Sequence, residues 1–182
     1  MITIKFNVAA INRCTETEGP FKRLAIWFQG CDGNCDGCCN PEYRPLVIRN
    51  LMTLEELVSI IAEAKREYGI EGVTYSGGEP ALQQGLPFLT EAIRSMGLGV
   101  ISFTGHIYED VAERLSGCDA VIDGEFDRSK PETKRKLIGS ENQRVLYLTE
   151  RYKDCHEWFN ADDGKILEIN VGKTIFANGD KI

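Results

Sequence analysis

The sequence predicts an α/β protein whose mainly parallel sheet is open on one side and forms only part of a (βα) barrel. Three observations carry this. Short apolar runs alternate with amphipathic helical segments, which implies right-handed βαβ crossovers and a parallel sheet. Residues 24–28, LAIWF, form the continuous apolar run of a strand buried on both faces. The chain has 182 residues, too few for the ~250 of a complete (βα)8 barrel.

Taken in order, the first strand is expected at Ile2–Val8, where apolar and polar residues partly alternate, and the second at Leu24–Phe28. The stretch GCDGNCDGCCNPE follows directly, and Gly30, Gly33, Gly37 and Pro41 leave it no regular alternative to a loop. A helix should begin after Thr53. Thr53 is a good N-cap, Glu56 completes a capping box, Leu54, Leu57, Val58, Ile61 and Ala64 recur at helical spacing, and Gly69 ends the helix. Val73–Tyr75 predicts a short strand running into SGGEP. Leu86–Met96 predicts a second helix, Leu98–Phe103 a strand running into Thr104-Gly105-His106, Tyr108–Leu115 a third helix and Ala120–Ile122 a short strand. Beyond Gly124 the pattern weakens. Arg144–Thr149 and Lys165–Val171 read as strands, with Thr174–Phe176 pairing back on the latter across Gly172-Lys173. No internal repeat or low-complexity linker interrupts the chain. It reads as one domain, residues 1–182, with a core at about 1–147 and an irregular, β-containing extension at 148–182.

Composition narrows the function classes. Hydrophobic residues make up 42% and charged residues 27%, an ordinary globular balance. The net charge of −7 disfavours general nucleic-acid binding. The basic run Arg128, Lys130, Lys134, Arg135 and Lys136 is read as a solvated surface segment. No stretch approaches the ~20 apolar residues of a membrane-spanning helix, and the N-terminus lacks the pattern of a signal peptide. The expectation is a cytoplasmic protein with no membrane association. Four of the seven cysteines fall within residues 31–39. A secreted disulfide framework would spread an even set along the chain, so the clustering points to metal.

Cys31, Cys35 and Cys38 form C-x3-C-x2-C on a short glycine-rich loop, able to wrap an iron–sulfur cubane. Three thiolates leave one iron of a [4Fe–4S] cluster without a protein ligand, which suits chemistry rather than electron carriage alone. Cys39 is either the fourth ligand or, as its strained adjacency to Cys38 favours, a neighbour of the cluster. The alternative is a four-cysteine zinc knot, although structural zinc sites usually join two separated ligand pairs. Cys14, Cys118 and Cys155 read as small buried hydrophobes. Trp27 and Phe28 belong to a core strand. Trp158 lines either core or a docking surface, and His156 beside Cys155 is weak evidence for a second metal or a nucleophile.

Taken together, FQGCDGNCDGCCNPE, Ser76-Gly77-Gly78-Glu79-Pro80, Asp123-Gly124 with Phe126-Asp127, and Gly139-Ser140 with Asn142-Gln143-Arg144 resemble the radical S-adenosylmethionine (SAM) superfamily. More narrowly, they resemble the activating proteins of anaerobic ribonucleoside-triphosphate reductases. The resemblance spans about residues 19–147. It implies a partial barrel of the radical SAM type, a [4Fe–4S] cluster on Cys31, Cys35 and Cys38, and SAM bound at the open iron. It also implies reductive cleavage of SAM to a 5′-deoxyadenosyl radical, a glycyl-radical enzyme as partner, and a flavodoxin or ferredoxin as electron donor. A substrate of another kind, a small molecule or a different glycyl-radical enzyme, is the alternative within the superfamily; a non-catalytic iron–sulfur or zinc protein is the alternative outside it. The implied cofactor contacts are Gly77 and Gly78, whose backbone can approach SAM closely, and Glu79, which either holds the loop or accepts from the SAM ammonium. Thr104 is assigned to the ribose, with His106 either beside it or at a surface turn. Asp123 and Gly124 end the next strand, Asp123 as a contact or a cap, and Gly37 and Cys39 border the adenine.

Overall fold

The computed structural model describes residues 3–160, 167–171 and 175–179. Seven strands form one sheet in the order β3-β1-β2-β4-β5-β6-β7. Its centre is the predicted parallel unit: β2 (Arg23–Phe28), β4 (Gly72–Gly77), β5 (Gly99–Phe103) and β6 (Ala120–Asp123) run parallel to one another. Antiparallel strands bound it on both sides. β1 (Lys5–Thr15) and β3 (Asn50–Thr53) lie at one edge, and β7 (Arg144–Tyr147) pairs with β6 at the other. The sheet is open, not a closed barrel. No helix among the described residues is long and apolar enough to cross a membrane.

Local sequence explains the elements that position the rest. β2 is buried along its whole length, as the LAIWF run requires. The helix α1 (Leu54–Tyr68) has the complete Thr53–Glu56 capping box and ends on Gly69 at φ 65°, a left-handed cap for which glycine pays no Cβ penalty. α2 (Leu86–Ser95) begins with proline in its first turn. Leu57, Ile61 and Ala64 of α1 and Leu86, Leu89 and Ile93 of α2 cover one face of the sheet, against Leu24, Ile26, Phe28, Val73, Tyr75 and Val100. A smaller core fills the other face, where Ile101, Ala120 and Ile122 meet Ile138, Tyr152 and Phe159.

Several expectations change. β1 runs on to Thr15, beyond the expected Val8, because its second half pairs with β2 through register shifts that break simple alternation. Only Tyr108–Val111 of the third expected helix is α-helical (α3). β3, a 3₁₀ segment at Glu150–Cys155 and the short helix α4 (His156–Asn160) have no counterpart in the sequence reading. The C-terminal hairpin is present as β8 (Leu167–Val171) and β9 (Ile175–Gly179); residues 165–166 and 172–174 of the expected strands and turn lie outside the described residues, as does Ile2. The hairpin docks on the end of β1. The Asn178 amide donates to Thr15 and Thr17 Oγ1 at 2.8 Å each, and Gly179 N–H donates to Glu18 Oε1 at 2.9 Å.

Of the isolated cysteines, only Cys118 is buried; Cys14 and Cys155 are half-exposed. Trp158 packs edge-on against Phe159, and the Lys136 ammonium lies 5.4 Å above its ring, which makes both part of the second core. The basic run is therefore not one solvated face. Lys136 is buried, and Arg135 bonds to the Glu132 carboxylate, whose pKa is pulled down to about 2 by Lys134 N–H, Arg135 N–H and the Arg135 guanidinium against the opposing effect of burial.

Candidate functional site

The carboxyl ends of the four parallel strands meet along one edge, the usual ligand face of such a sheet. β2 delivers the cysteine loop, β4 delivers Gly78-Glu79, β5 delivers Thr104-Gly105-His106 and β6 delivers Gly124. The cysteine loop is anchored at both ends by backbone. Gly30 N–H donates to Tyr43 O at 2.8 Å, Cys31 N–H to Arg44 O at 2.9 Å, and Glu79 N–H to Gly30 O at 2.8 Å. The close approach that Gly78 permits is to this loop: a Cβ there would collide with the Gly30 carbonyl and lie 2.8 Å from Tyr43 O. Side-chain absence at Gly78 thus has a reason inside the protein itself.

Glu79 is the hub of the edge. It is buried, and its Oε1 accepts from Ala81 N–H at 2.9 Å and Thr104 Oγ1 at 2.8 Å, while Oε2 accepts from Gly105 N–H at 2.8 Å. Burial pushes its carboxyl pKa up, against the lowering effect of these three donors and of His106. One carboxylate thereby binds the β4 loop to the β5 loop. His106 carries the connection across to the cysteine loop, its Nε2 standing 3.2 Å from Asp32 Oδ1. Asp123 is also engaged. It accepts from Tyr108 N–H at 2.8 Å, which caps α3, and it pairs with the Arg144 guanidinium. Burial alone would raise its carboxyl; Arg144 and the Tyr108 N–H outweigh that and hold it low.

The three thiols lie on one loop beside this edge. The position a Cβ of Gly33 would occupy is 3.4 Å from Cys31 Sγ and 3.9 Å from Cys35 Sγ. Gly33 N–H donates to Cys31 Sγ at 3.3 Å. Burial pushes the Cys31 and Cys35 thiols up, at Cys31 against the lowering effect of the Gly33 N–H. Cys38 is half-buried and Cys39 exposed. Two open depressions of about 430 and 450 Å³ flank the loop. One is lined by Cys35, Gly37, Cys38 and Arg44, the other by Asp36, Phe126, Arg128 and Asn142.

The expected residues Gly77, Gly78, Glu79, Thr104, Asp123 and Gly124 all end parallel strands at this edge, with Gly37 and Cys39 in the loop beside it. Side-chain groups of Glu79, Thr104 and Asp123 are already hydrogen-bonded within the protein. Sequence reasoning missed Asp32, whose partner is 74 residues away, and the Arg144 ion pair with Asp123, which only the antiparallel register of β7 on β6 creates. The donor set fits an iron–sulfur cluster. Three cysteine thiols carried on one short loop are the kind of donor set such a cluster takes.

An open, largely parallel sheet with a C-x3-C-x2-C loop and a GGEP turn at its carboxyl edge defines an iron–sulfur enzyme of the radical SAM superfamily. More particularly, the chain belongs to the 4Fe-4S single cluster domain family, which matches it over residues 17–146. It is 28% identical over 151 residues to the anaerobic ribonucleoside-triphosphate reductase-activating protein of Enterobacteria phage T4, covering 79% of this chain and 96% of that one. It is 26% identical over 140 residues to the protein of the same name from Salmonella typhimurium, covering 71% and 91%. A putative glycyl-radical enzyme activating enzyme of Haemophilus influenzae is 40% identical over 87 residues; that match covers 46% of this chain and only 32% of the relative.

Proposed function

We propose that this protein is a glycyl-radical-enzyme activase that cleaves SAM reductively, and that its partner is an anaerobic ribonucleoside-triphosphate reductase. The observation that carries the reading is the seat of a three-thiol loop at the carboxyl edge of an open sheet, flanked by two open depressions. A protein loop bearing the target glycine can reach such a surface. A small substrate is normally enclosed over most of its surface. Near-full-length similarity to two proteins named as activators of this reductase supports the partner.

In this reading Cys31, Cys35 and Cys38 hold a [4Fe–4S] cluster. Once bound, the cluster and SAM supply the cleavage chemistry that yields methionine and a 5′-deoxyadenosyl radical. The chain's own residues set the geometry. Glu79 fixes the β4 and β5 loops relative to each other, so that Gly77, Gly78, Thr104 and Gly105 present a preformed rim to the nucleoside. Asp123 and Gly124 extend that rim, and Gly37 and Cys39 border the adenine. The low-potential electron comes from a flavodoxin or ferredoxin.

Cys35→Ala is expected to abolish SAM cleavage under dithionite, whereas Cys155→Ala, packed against the second core away from the loop, retains it. Equal cleavage by wild type and the Cys35 variant overturns the assignment. Mixing with an anaerobic reductase, SAM and reductant should give a glycyl-radical EPR signal; SAM cleavage with no such signal points to another substrate.

A further inference from the structure

The connection between the cysteine loop and β3 carries an apolar surface that the fold leaves uncovered. Among the described residues Leu46 and Ile48 are the most exposed large apolar side chains, each at 75%, and Val47 between them is 57% exposed. Leu51 in β3 and Leu82 beyond the GGEP turn are exposed as well. Single apolar residues on a surface are ordinary, whereas a joined set of them marks a place where another molecule sits.

The backbone under this set is fixed. Gln29 Nε2 donates to Pro45 O at 2.8 Å, and Val47 N–H donates to the same carbonyl at 2.8 Å. Asn7 ties two parts of the surface together. Its Nδ2 donates to Val47 O at 2.7 Å, its Oδ1 accepts from Arg49 N–H at 2.9 Å, and its own N–H donates to Gln83 Oε1 at 2.9 Å. Val47 thereby stands beside the turn that carries Leu82. At its other end the surface reaches the thiol loop. The position a Cβ of Gly30 would occupy is 3.2 Å from Leu46 Cδ2, and Cys31 N–H donates to Arg44 O. The result is a preorganised apolar lip that runs from the residue before the first cysteine to the turn after GGEP, and such a lip loses little freedom on binding. Arg49, the charged residue next to Ile48, lies with its guanidinium over the Tyr43 ring, 5.4 Å from the centroid.

We propose that this lip is the docking surface for the glycyl-radical enzyme, which meets it with apolar side chains beside the loop that carries its target glycine. The inference rests on the activase reading above and adds the surface on which the partner sits. A glycine that reacts at this site must come within about 3–3.5 Å of the reacting atom. A protein brought that close rests on whatever rims the cysteine loop, and on this side the rim is Leu46, Val47 and Ile48. A small substrate at the open edge would leave those three side chains uncovered.

The test is calorimetric binding of an anaerobic ribonucleoside-triphosphate reductase to the anaerobically reconstituted protein, with SAM cleavage and glycyl-radical yield measured under dithionite. Val47→Asp combined with Ile48→Asp should weaken binding about 30-fold, the size of one interface hot spot, and raise the reductase concentration for half-maximal radical formation to match. Iron content, and SAM cleavage without the reductase, should stay at the wild-type level. Val47→Ser with Ile48→Ser should give a smaller loss in the same direction, and it decides the matter if the charged variant misfolds. Phe21→Asp removes a comparably exposed apolar side chain (58%) before the amino end of β2, at a left-handed φ of 64° that aspartate tolerates, and should change none of these readouts. Wild-type affinity in the double variants overturns the inference. So does a defect seen only when a flavodoxin replaces dithionite, which makes the lip the electron donor's seat. A wild-type dimer that the double variant splits while reductase binding is unchanged makes it a contact between copies, and overturns the inference too. Wild-type protein that does not bind the reductase overturns the choice of partner, and the inference with it.

Discussion

Both ends of the parallel sheet bury charged side chains, and Glu79 at one end and Arg23 at the other use that burial differently. At the carboxyl end Glu79 accepts three hydrogen bonds and joins two loops that flank the cysteines. At the amino end Arg23, fully buried, donates to Thr74 Oγ1 at 2.7 Å, Val73 O at 2.8 Å, Tyr152 OH at 2.9 Å, and Pro20 O and Glu71 Oε2 at 3.2 Å. Tyr152 OH donates onward to Glu71 Oε2 at 2.7 Å. This lock has no ligand face. Gly99, at the start of β5, leaves the space that Tyr152 fills, since a Cβ there would collide with the phenol oxygen. The Arg23 network joins the sheet to the segment after β7, whereas the Glu79 network joins loops around the candidate site. A buried charge, then, does not by itself mark a functional site; the end of the sheet it occupies decides its reading.

Breaking Arg23 should give the largest effect. Arg23→Met removes the guanidinium and leaves Thr74, Val73 O and Glu71 short of a partner. Breaking a buried pair costs about 3–5 kcal/mol, and the partial exposure of Glu71 puts this case toward about 3 kcal/mol. Urea unfolding measures it, and iron content per folded molecule should stay at the wild-type level. Glu79→Gln should cost less, about 1–3 kcal/mol, because the amide can keep Ala81 and Thr104 and sets its NH2 against Gly105 N–H. Unlike the Arg23 variant, it should lower iron content at equal folded fraction. If both variants change stability and iron content in the same ratio, the two ends are not separate in function.

The smallest effect appears only in alkali. Burial raises the Cys118 thiol to about 12, above an ordinary value of 9.0. The folded state then keeps a proton that the unfolded chain releases, so this stabilisation is whole below about pH 9 and is lost as pH rises toward 12. Replacing Cys118 with Ala should flatten the alkaline fall in melting temperature between pH 9 and 11 while leaving iron content unchanged.

How far these ends could be read from the sequence depends on the range of their interactions. α1 was legible because its signals are local: Thr53, Glu56 and Gly69 act within a few residues of the helix they bound. The cysteine loop and GGEP were legible because spacing alone carries their chemistry. The lock was not, because Arg23 and Tyr152 lie 129 positions apart and neither has a local signature. β3 is four half-buried or exposed residues that become a strand only by pairing with Lys5–Val8. Asp123 was read as a cofactor contact or a cap; its partner Arg144 sits opposite it only in the β6–β7 register. For Glu79 the sequence offers a loop holder or an ammonium acceptor, and two of the donors it meets, Thr104 and Gly105, follow β5, 25 and 26 positions on.

The hydroxyl that completes the Arg23 lock belongs to residue 152, past the point where the family match stops at 146. A residue outside the family match thus completes the packing of a strand inside it. A chain cut at residue 146 would lose that hydroxyl and keep the buried guanidinium on Thr74, Val73 O, Pro20 O and Glu71 alone, so its sheet should be less stable at the amino end.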